Sequence, residues 1–309
     1  MQLPHRPLRV GLVLSGPVTG SVNAIAFRGL QRAVRVLRID GRALEQGPKE
    51  NGSASMAYLA RQGYDLVVAF SLDLDALDVT ARQFPHTCFL SLDAPNEAFP
   101  HKPRNLRGIV FRAQEPAYLA GYLAASVERE RPGRHVVSTV GAISFPPVDS
   151  FIAGFQAGAR KADPDVTLLN GYSNNFVDPS PCRRVALQQI ARGSGVVFQV
   201  AGSCGLGALQ AAKDKGIWGI GVDEDQSALG PYVLTSVLKN YDVALFAAIK
   251  ALQTRTFLTG TTVEMGLRDN GVGLGKFSPR VSRALIAKLG RLRQQIVAGR
   301  IVVPATISR

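Results

Sequence analysis

Along the chain, short unbroken apolar runs alternate with longer stretches in which apolar residues recur every three or four positions. The first pattern belongs to strands buried on both faces, the second to amphipathic helices. Strands are predicted at Leu8 to Leu14, Asp65 to Phe70, Thr87 to Leu92 and Gly108 to Phe111. A second series runs His135 to Val140, Val166 to Leu169, Gly195 to Val200, Ile217 to Val222 and Tyr232 to Val237. Helices are predicted over Ser21 to Leu37, Pro116 to Val127, Asp149 to Lys161, Arg183 to Arg192, Leu206 to Lys215, Asp242 to Leu252 and Val281 to Val297.

Strand and helix in alternation imply parallel sheets with helices on both faces, so the chain is of the α/β class. Two successive series of repeats make two doubly wound, Rossmann-like lobes. The strand at Tyr232 and the helix after it are too much for a tail of the second lobe and predict a return to the first. The first lobe is then residues 1–112 plus about 238–258, and the second 113–237 plus about 259–309 with the C-terminal tail. Crossovers near Phe111 to Gln114, Val237 to Asn240 and Thr254 to Val263 would form a multi-strand hinge.

Composition narrows the function. The 309 residues are 46% hydrophobic, enough for two buried cores. No apolar run reaches the roughly 18–20 residues of a membrane span. The opening Met-Gln-Leu-Pro-His-Arg-Pro has no signal-peptide character, which predicts a cytoplasmic protein if Met1 is the native start and an extracytoplasmic, membrane-associated one if the start has been trimmed.

The formal charge of +13 is spread over surface helices without a series of interleaved aromatics; where it is densest, from Lys276 to Arg300, the one aromatic is Phe277. That reads as a solvated face, with no nucleic acid as partner. Cys88, Cys182 and Cys204 are too scattered for a metal cluster and too few for a disulfide framework, and are expected as plain thiols. His5, His86, His101 and His135 lack metal-ligand spacing, so no metal is expected.

Open parallel sheets bind ligands beyond the carboxyl ends of their strands. In the first lobe those positions hold Ser15, Ser21 and Asn23, one of the last two free to cap the following helix. Ser71 and Asp73 follow Phe70, and Asp93 follows Leu92. Asp93 is the stronger carboxylate for ligand hydroxyl or amine groups. In the second lobe they hold Phe176 in a polar loop, Gly202, Asp223 and Lys239. Phe176 either staples its loop or offers a flat face to a ring.

Catalytic patterns fall away one by one. Ser236 to Lys239 fits an S-x-x-K string but lies across a strand end without companion motifs. Gly202 to Gly207 and Gly271 to Lys276 lack phosphate-loop spacing. With no nucleophile–base pair, metal set or cofactor fingerprint, the sequence reads as binding without turnover and without a cofactor.

Five ordered motifs point further. They are Tyr118-Leu-Ala-Gly-Tyr-Leu-Ala-Ala125, Phe151-Ile-Ala-Gly-Phe-Gln-Ala-Gly158, Gly221-Val-Asp-Glu-Asp-Gln226, Leu234-Thr-Ser-Val-Leu-Lys239 and Ala298-Gly-Arg-Ile-Val-Val-Pro304. Through them the chain resembles, over nearly its whole length, the basic membrane protein family of substrate-binding proteins, the purine-nucleoside receptors of ABC importers. The resemblance implies a type I periplasmic-binding-protein fold, a monomer that closes on a nucleoside or purine base, and an ABC permease as partner. It implies that Asp223 and Lys239 face a ribose, Asp93 another polar edge, Gly202 a close backbone approach, and Phe176 a stacking face.

Ser21 and Asn23 match the family's Ser-Phe-Asn, but Val22 stands in place of its aromatic and Thr19 in place of its acid. A lost stacking ring forfeits about 1 kcal/mol or more; Phe70 or Phe27 is the ring expected to take its place, Phe27 standing at helical spacing where a core role is the commoner one. The alternative function with the same fold is a ligand-sensing module of a larger or signalling protein.

Overall fold

The computed structural model describes residues 6–307, apart from residues 20, 48 and 134 and the side chain of Ser21. The described residues fall into two compact units. One comprises residues up to Phe111 and Asn240–Met265, the other Arg112–Lys239 and the residues from Gly266 onward.

The first unit holds β1 (Arg9–Leu14), α1 (Ser21–Leu37), β2 (Asp40–Glu45), α2 (Ser53–Arg61), β3 (Leu66–Phe70), α3 (Leu74–Gln83), β4 (Cys88–Leu92) and β5 (Leu106–Phe111). The second contributes α4 (Gln114–Glu128), β6 (Val136–Gly141), α5 (Pro146–Ala162), β7 (Thr167–Tyr172), α6 (Pro179–Ala191), β8 (Val196–Val200), α7 (Gly205–Asp214), β9 (Trp218–Asp223) and β10 (Val233–Lys239). The chain returns to the first unit for α8 (Tyr241–Gln253) and β11 (Thr262–Met265), then to the second for β12 (Val272–Leu274) and α9 (Arg283–Val297).

Each unit is one six-stranded sheet, ordered β11-β5-β4-β3-β1-β2 in the first and β12-β10-β9-β8-β6-β7 in the second. Without the returning strand, each order is the 2-1-3-4-5 of doubly wound sheets, which puts a topological switch point between β1 and β3 and between β6 and β8. The first-unit core packs α2 and α3 residues such as Met56, Leu59 and Leu77 on Val67 and Phe89. The third crossover falls after Met265, later than the sequence boundary near 258. Residues Thr262–Met265 pair in register with Gly108–Phe111, and those ladder hydrogen bonds hold the segment in the first sheet.

One expectation about the cysteines is overturned. Cys182, in the first turn of α6, is bonded to Cys204, just beyond β8, with their Cα atoms 5.6 Å apart. The two are 22 residues apart in sequence and meet only because β8 returns its carboxyl end beside the start of α6. Both lie inside an apolar cluster with Val140, Ala186, Val197 and Ala208. Cys88 stays a buried thiol, its pKa pushed up to about 11 by burial and by the nearby charge of Asp65.

In the second unit α4 and α5 pack backbone to backbone. A Cβ on Gly121 would strike the Phe155 carbonyl, one on Gly154 the Gln114 carbonyl, and one on Gly158 the Tyr118 carbonyl. This is why glycine recurs in the two helical motifs. Among the described residues no helix is long and apolar enough to cross a membrane, and no group of His, Cys, Asp and Glu is placed to hold a metal.

Candidate ligand-binding site at the strand ends

Strand pairing brings the two units into detailed correspondence. Leu66 of β3 pairs with Cys88 of β4, and Val196 of β8 pairs with Trp218 of β9. Counting along from these pairs, Asp93 and Asp223 occupy equivalent places, each the sixth residue from the start of the ladder. Both have left-handed backbones, φ 80° and 64°. Ser71, directly after β3, and Gly202, two residues after β8, are also left-handed, each at φ 55°. A non-glycine residue pays for that conformation, and a cluster of such residues at strand ends is where functional sites store strain.

In the first unit the loop after β1 is fastened by Val18 N–H, which donates to Glu45 Oε1 at 2.8 Å. Ser15 is exposed there. Ser21 opens α1, and its side chain lies outside the described residues. Asn23 is not a cap. It is buried, its Nδ2 donates to the Pro17 carbonyl at 3.3 Å, and its Oδ1 has no hydrogen-bond partner. A buried acceptor left unmade costs about 1–3 kcal/mol, so Asn23 is poised toward something that donates. Ser71 is exposed. Asp73 has a structural task, capping α3 by accepting from Ala76 N–H at 2.7 Å.

Asp93 is half-buried and accepts from the Tyr241 hydroxyl at 3.0 Å. The Tyr241 ring in turn meets Phe70 and Phe111 edge-on, at centroid distances of 4.7 and 5.0 Å. Phe70 is wholly buried, its ring committed to that aromatic group, so it offers no open face to replace the ring missing at Val22.

In the second unit the loop after β9 is held by one side chain. Gln226 Oε1 accepts from Val222 N–H and from Gln199 Nε2, while Gln226 N–H donates to Ser236 Oγ. This is the physical content of the Gly-Val-Asp-Glu-Asp-Gln motif, because it fixes the backbone that carries Asp223. Lys239 ends β10, only 5% exposed, its Nζ 5.3 Å from the centroid of the Phe151 ring. The ring quadrupole attracts a cation placed over its face.

Phe176 is 42% exposed and meets Phe145 edge-on at 6.2 Å. Its carbonyl accepts from Cys204 N–H at 3.0 Å, and a Cβ on Gly202 would press on the same oxygen. The disulfide thus anchors the loop that presents both Phe176 and Gly202. Asp149 ties two further strand ends, accepting from Tyr172 Oη at 2.6 Å and Ser144 Oγ at 3.0 Å. Burial and that carboxylate raise the Tyr172 pKa.

The structure places Asp93, Asp223, Gly202 and Phe176 at strand ends, and Phe145 in the Ser144-Phe145-Pro146-Pro147 segment after β6. The strand-end rule had no signal for Tyr241 or the disulfide: Tyr241 is a helix residue whose partner lies far away in the sequence, and the two cysteines are joined only by the fold.

Two doubly wound units of order 2-1-3-4-5 define the type I periplasmic-binding-protein fold. In fold the chain is similar to an ABC transporter solute-binding protein from Aeropyrum pernix K1, with TM-score 0.78, 24% identity and coverage of 96% of this chain and 94% of that one. It is also similar to a transcriptional activator of the comK gene from Bacillus halodurans, with TM-score 0.82, 20% identity and coverage of 96% and 99%. Residues 8–306 match the Bmp family, ABC transporter substrate-binding protein PnrA-like, and the chain belongs to that family. It is 30% identical over 303 residues to basic membrane protein A of Borreliella burgdorferi, covering 96% of this chain and 88% of that protein. It is therefore a solute-binding component of an ABC transporter, a binding protein and not an enzyme.

Proposed function

We propose that the solute is a purine nucleoside or purine base, passed on to an ABC permease, and that strand-end groups hold it. The observation that carries this reading is the equivalence of Asp93 and Asp223, half-buried carboxylates at the same register position with left-handed backbones. Carboxylates so placed accept hydrogen bonds from ribose hydroxyls and from base N–H groups. Asn23 supports the reading with an unfilled acceptor, and Phe176 with a ring that suits a flat heterocycle.

Calorimetric titration and thermal shift with inosine, guanosine, adenosine and the free bases, against sugars and amino acids, test it. A bound ligand at a hundredfold its Kd stabilises by about 2.7 kcal/mol, a rise of several degrees in Tm. Asp223→Ala should abolish the titration heat while leaving the unliganded Tm close to wild type. A shift from sugars or amino acids with silence from every purine would overturn the ligand. Unchanged purine affinity in Asp223→Ala would overturn the site.

A further inference from the structure

The first unit carries a cavity of about 440 Å³ at the opposite pole of its sheet from the strand-end residues. Its wall is built from three segments: Pro85–Cys88 leading into β4, Arg104 and Asn105 leading into β5, and the stretch from the end of α8 toward β11 with Leu252, Arg255 and Phe257. All of them lie toward strand amino ends, away from the strand-end candidates described above.

The chemistry of the lining is one-sided. Arg104, Arg255 and His86 border the cavity, and no carboxylate does. Arg107 does not line the cavity but packs on the lining ring of Phe257, its guanidinium carbon 4.9 Å from the ring centroid. Arg107 Nε is buried without a hydrogen-bond partner, and burial lowers the Arg107 pKa. Several other arginines, Arg6, Arg9, Arg82, Arg112, Arg131 and Arg183, sit on carboxylates. Among the described residues, none of those ion pairs involves Arg104, Arg107 or Arg255.

Arg255 also occupies a position that ordinarily belongs to glycine. It follows α8 with φ 61°, while its N–H and that of Thr256 close the helix on the Leu252 and Ala251 carbonyls. That is the left-handed residue of a helix C-cap, where glycine is the usual occupant, yet here it bears a long cationic side chain.

Two guanidiniums bordering one concave space repel one another unless an anion joins them. Guanidinium forks match the oxygens of phosphate in pairs. The volume exceeds what a bare phosphate fills and falls in the range of small-metabolite pockets, and the Phe257 ring and Leu252 supply an apolar wall. We propose that this cavity is a second ligand site, for a small organic phosphate, independent of the strand-end solute site.

The test is calorimetric titration at constant ionic strength with glycerol 3-phosphate, ribose 5-phosphate and inorganic phosphate, with chloride and an acidic peptide as controls. Saturable binding of an organic phosphate is expected. The exposed pair Arg104→Gln and Arg255→Gln should weaken it by about tenfold or more for each charge removed, with the unliganded Tm and solute titration unchanged. Absence of saturable heat with every phosphate, binding by the acidic peptide alone, or phosphate affinity that survives the double substitution would each overturn the proposal.

Discussion

The two units share a strand order and a register, yet each finishes its sheet differently. In the first, β11 runs parallel to β5; in the second, β12 runs antiparallel to β10. The contrast follows from what precedes each strand. β11 is reached through α8, which serves as the crossover helix a parallel strand requires, whereas only Gly266–Gly271 separates β11 from β12. The βα repeat therefore dictates five strands of each sheet, and the connection decides the direction of the sixth.

The units also fasten their binding edges by different means. The first ties Asp93 to Tyr241 and an aromatic group; the second uses the Gln226 network, the Cys182–Cys204 bond and glycine-packed helices. The same architecture thus tolerates one edge held by a side-chain hydrogen bond and another held covalently.

Substitutions can break this comparison. The largest effect is expected at the glycine crossing. Gly158→Ala drives a methyl into the Tyr118 carbonyl, overpacking that costs about 1–3 kcal/mol or more and outweighs the gain of about 1 kcal/mol in helix propensity. Gly29→Ala, at the first unit's α1–α8 contact, meets the Asp242 backbone at one crossing point in place of three and should cost less. Urea unfolding of both variants measures the difference, and equal losses would refute the tighter packing of the second unit.

Next comes the disulfide. Reduction, or Cys182→Ser with Cys204→Ser, should remove about 3 kcal/mol, the entropy of closing a loop of this length. Titration of the unfolded, unreduced chain should find Cys88 as its single thiol. In the folded protein that thiol, with its pKa near 11, should resist alkylation at neutral pH. Three reactive thiols before reduction would remove the covalent half of the comparison. The smallest effect is expected for Tyr241→Phe, which deletes the hydroxyl donated to Asp93 and should cost about 1 kcal/mol in denaturant unfolding. A neutral result would show that the aromatic contacts alone hold the first unit's edge.

The sequence reveals the central strands because both of their faces are buried. β3, β4 and β8 are buried throughout and read as apolar runs, broken only by Ser91 in β4 and Gln199 in β8. The edge strands carry no such signal. β2 is Asp-Gly-Arg-Ala-Leu-Glu with its polar residues exposed, and β11 and β12 are short and half-solvated. With one neighbour each, they need no apolar pattern, and their pairing is set by the sheet that receives them.

The candidate site divides along similar lines. Asp93, Asp223 and Gly202 are legible because position after a buried strand is a sequence property. Tyr241 and the partner of Cys182 are not, since each contact depends on segments that only the fold brings together.

The three crossovers of the chain have a consequence for biosynthesis. Neither unit is a continuous stretch of sequence, and the first lacks its sixth strand until Thr262–Met265 has been made. A nascent chain leaving the ribosome exposes β5 as an open edge through the synthesis of the entire central part of the second unit. Because exposed edges invite mispairing, the first half of this protein should depend on a holding chaperone, and truncation before residue 262 should yield aggregates in place of a soluble single unit.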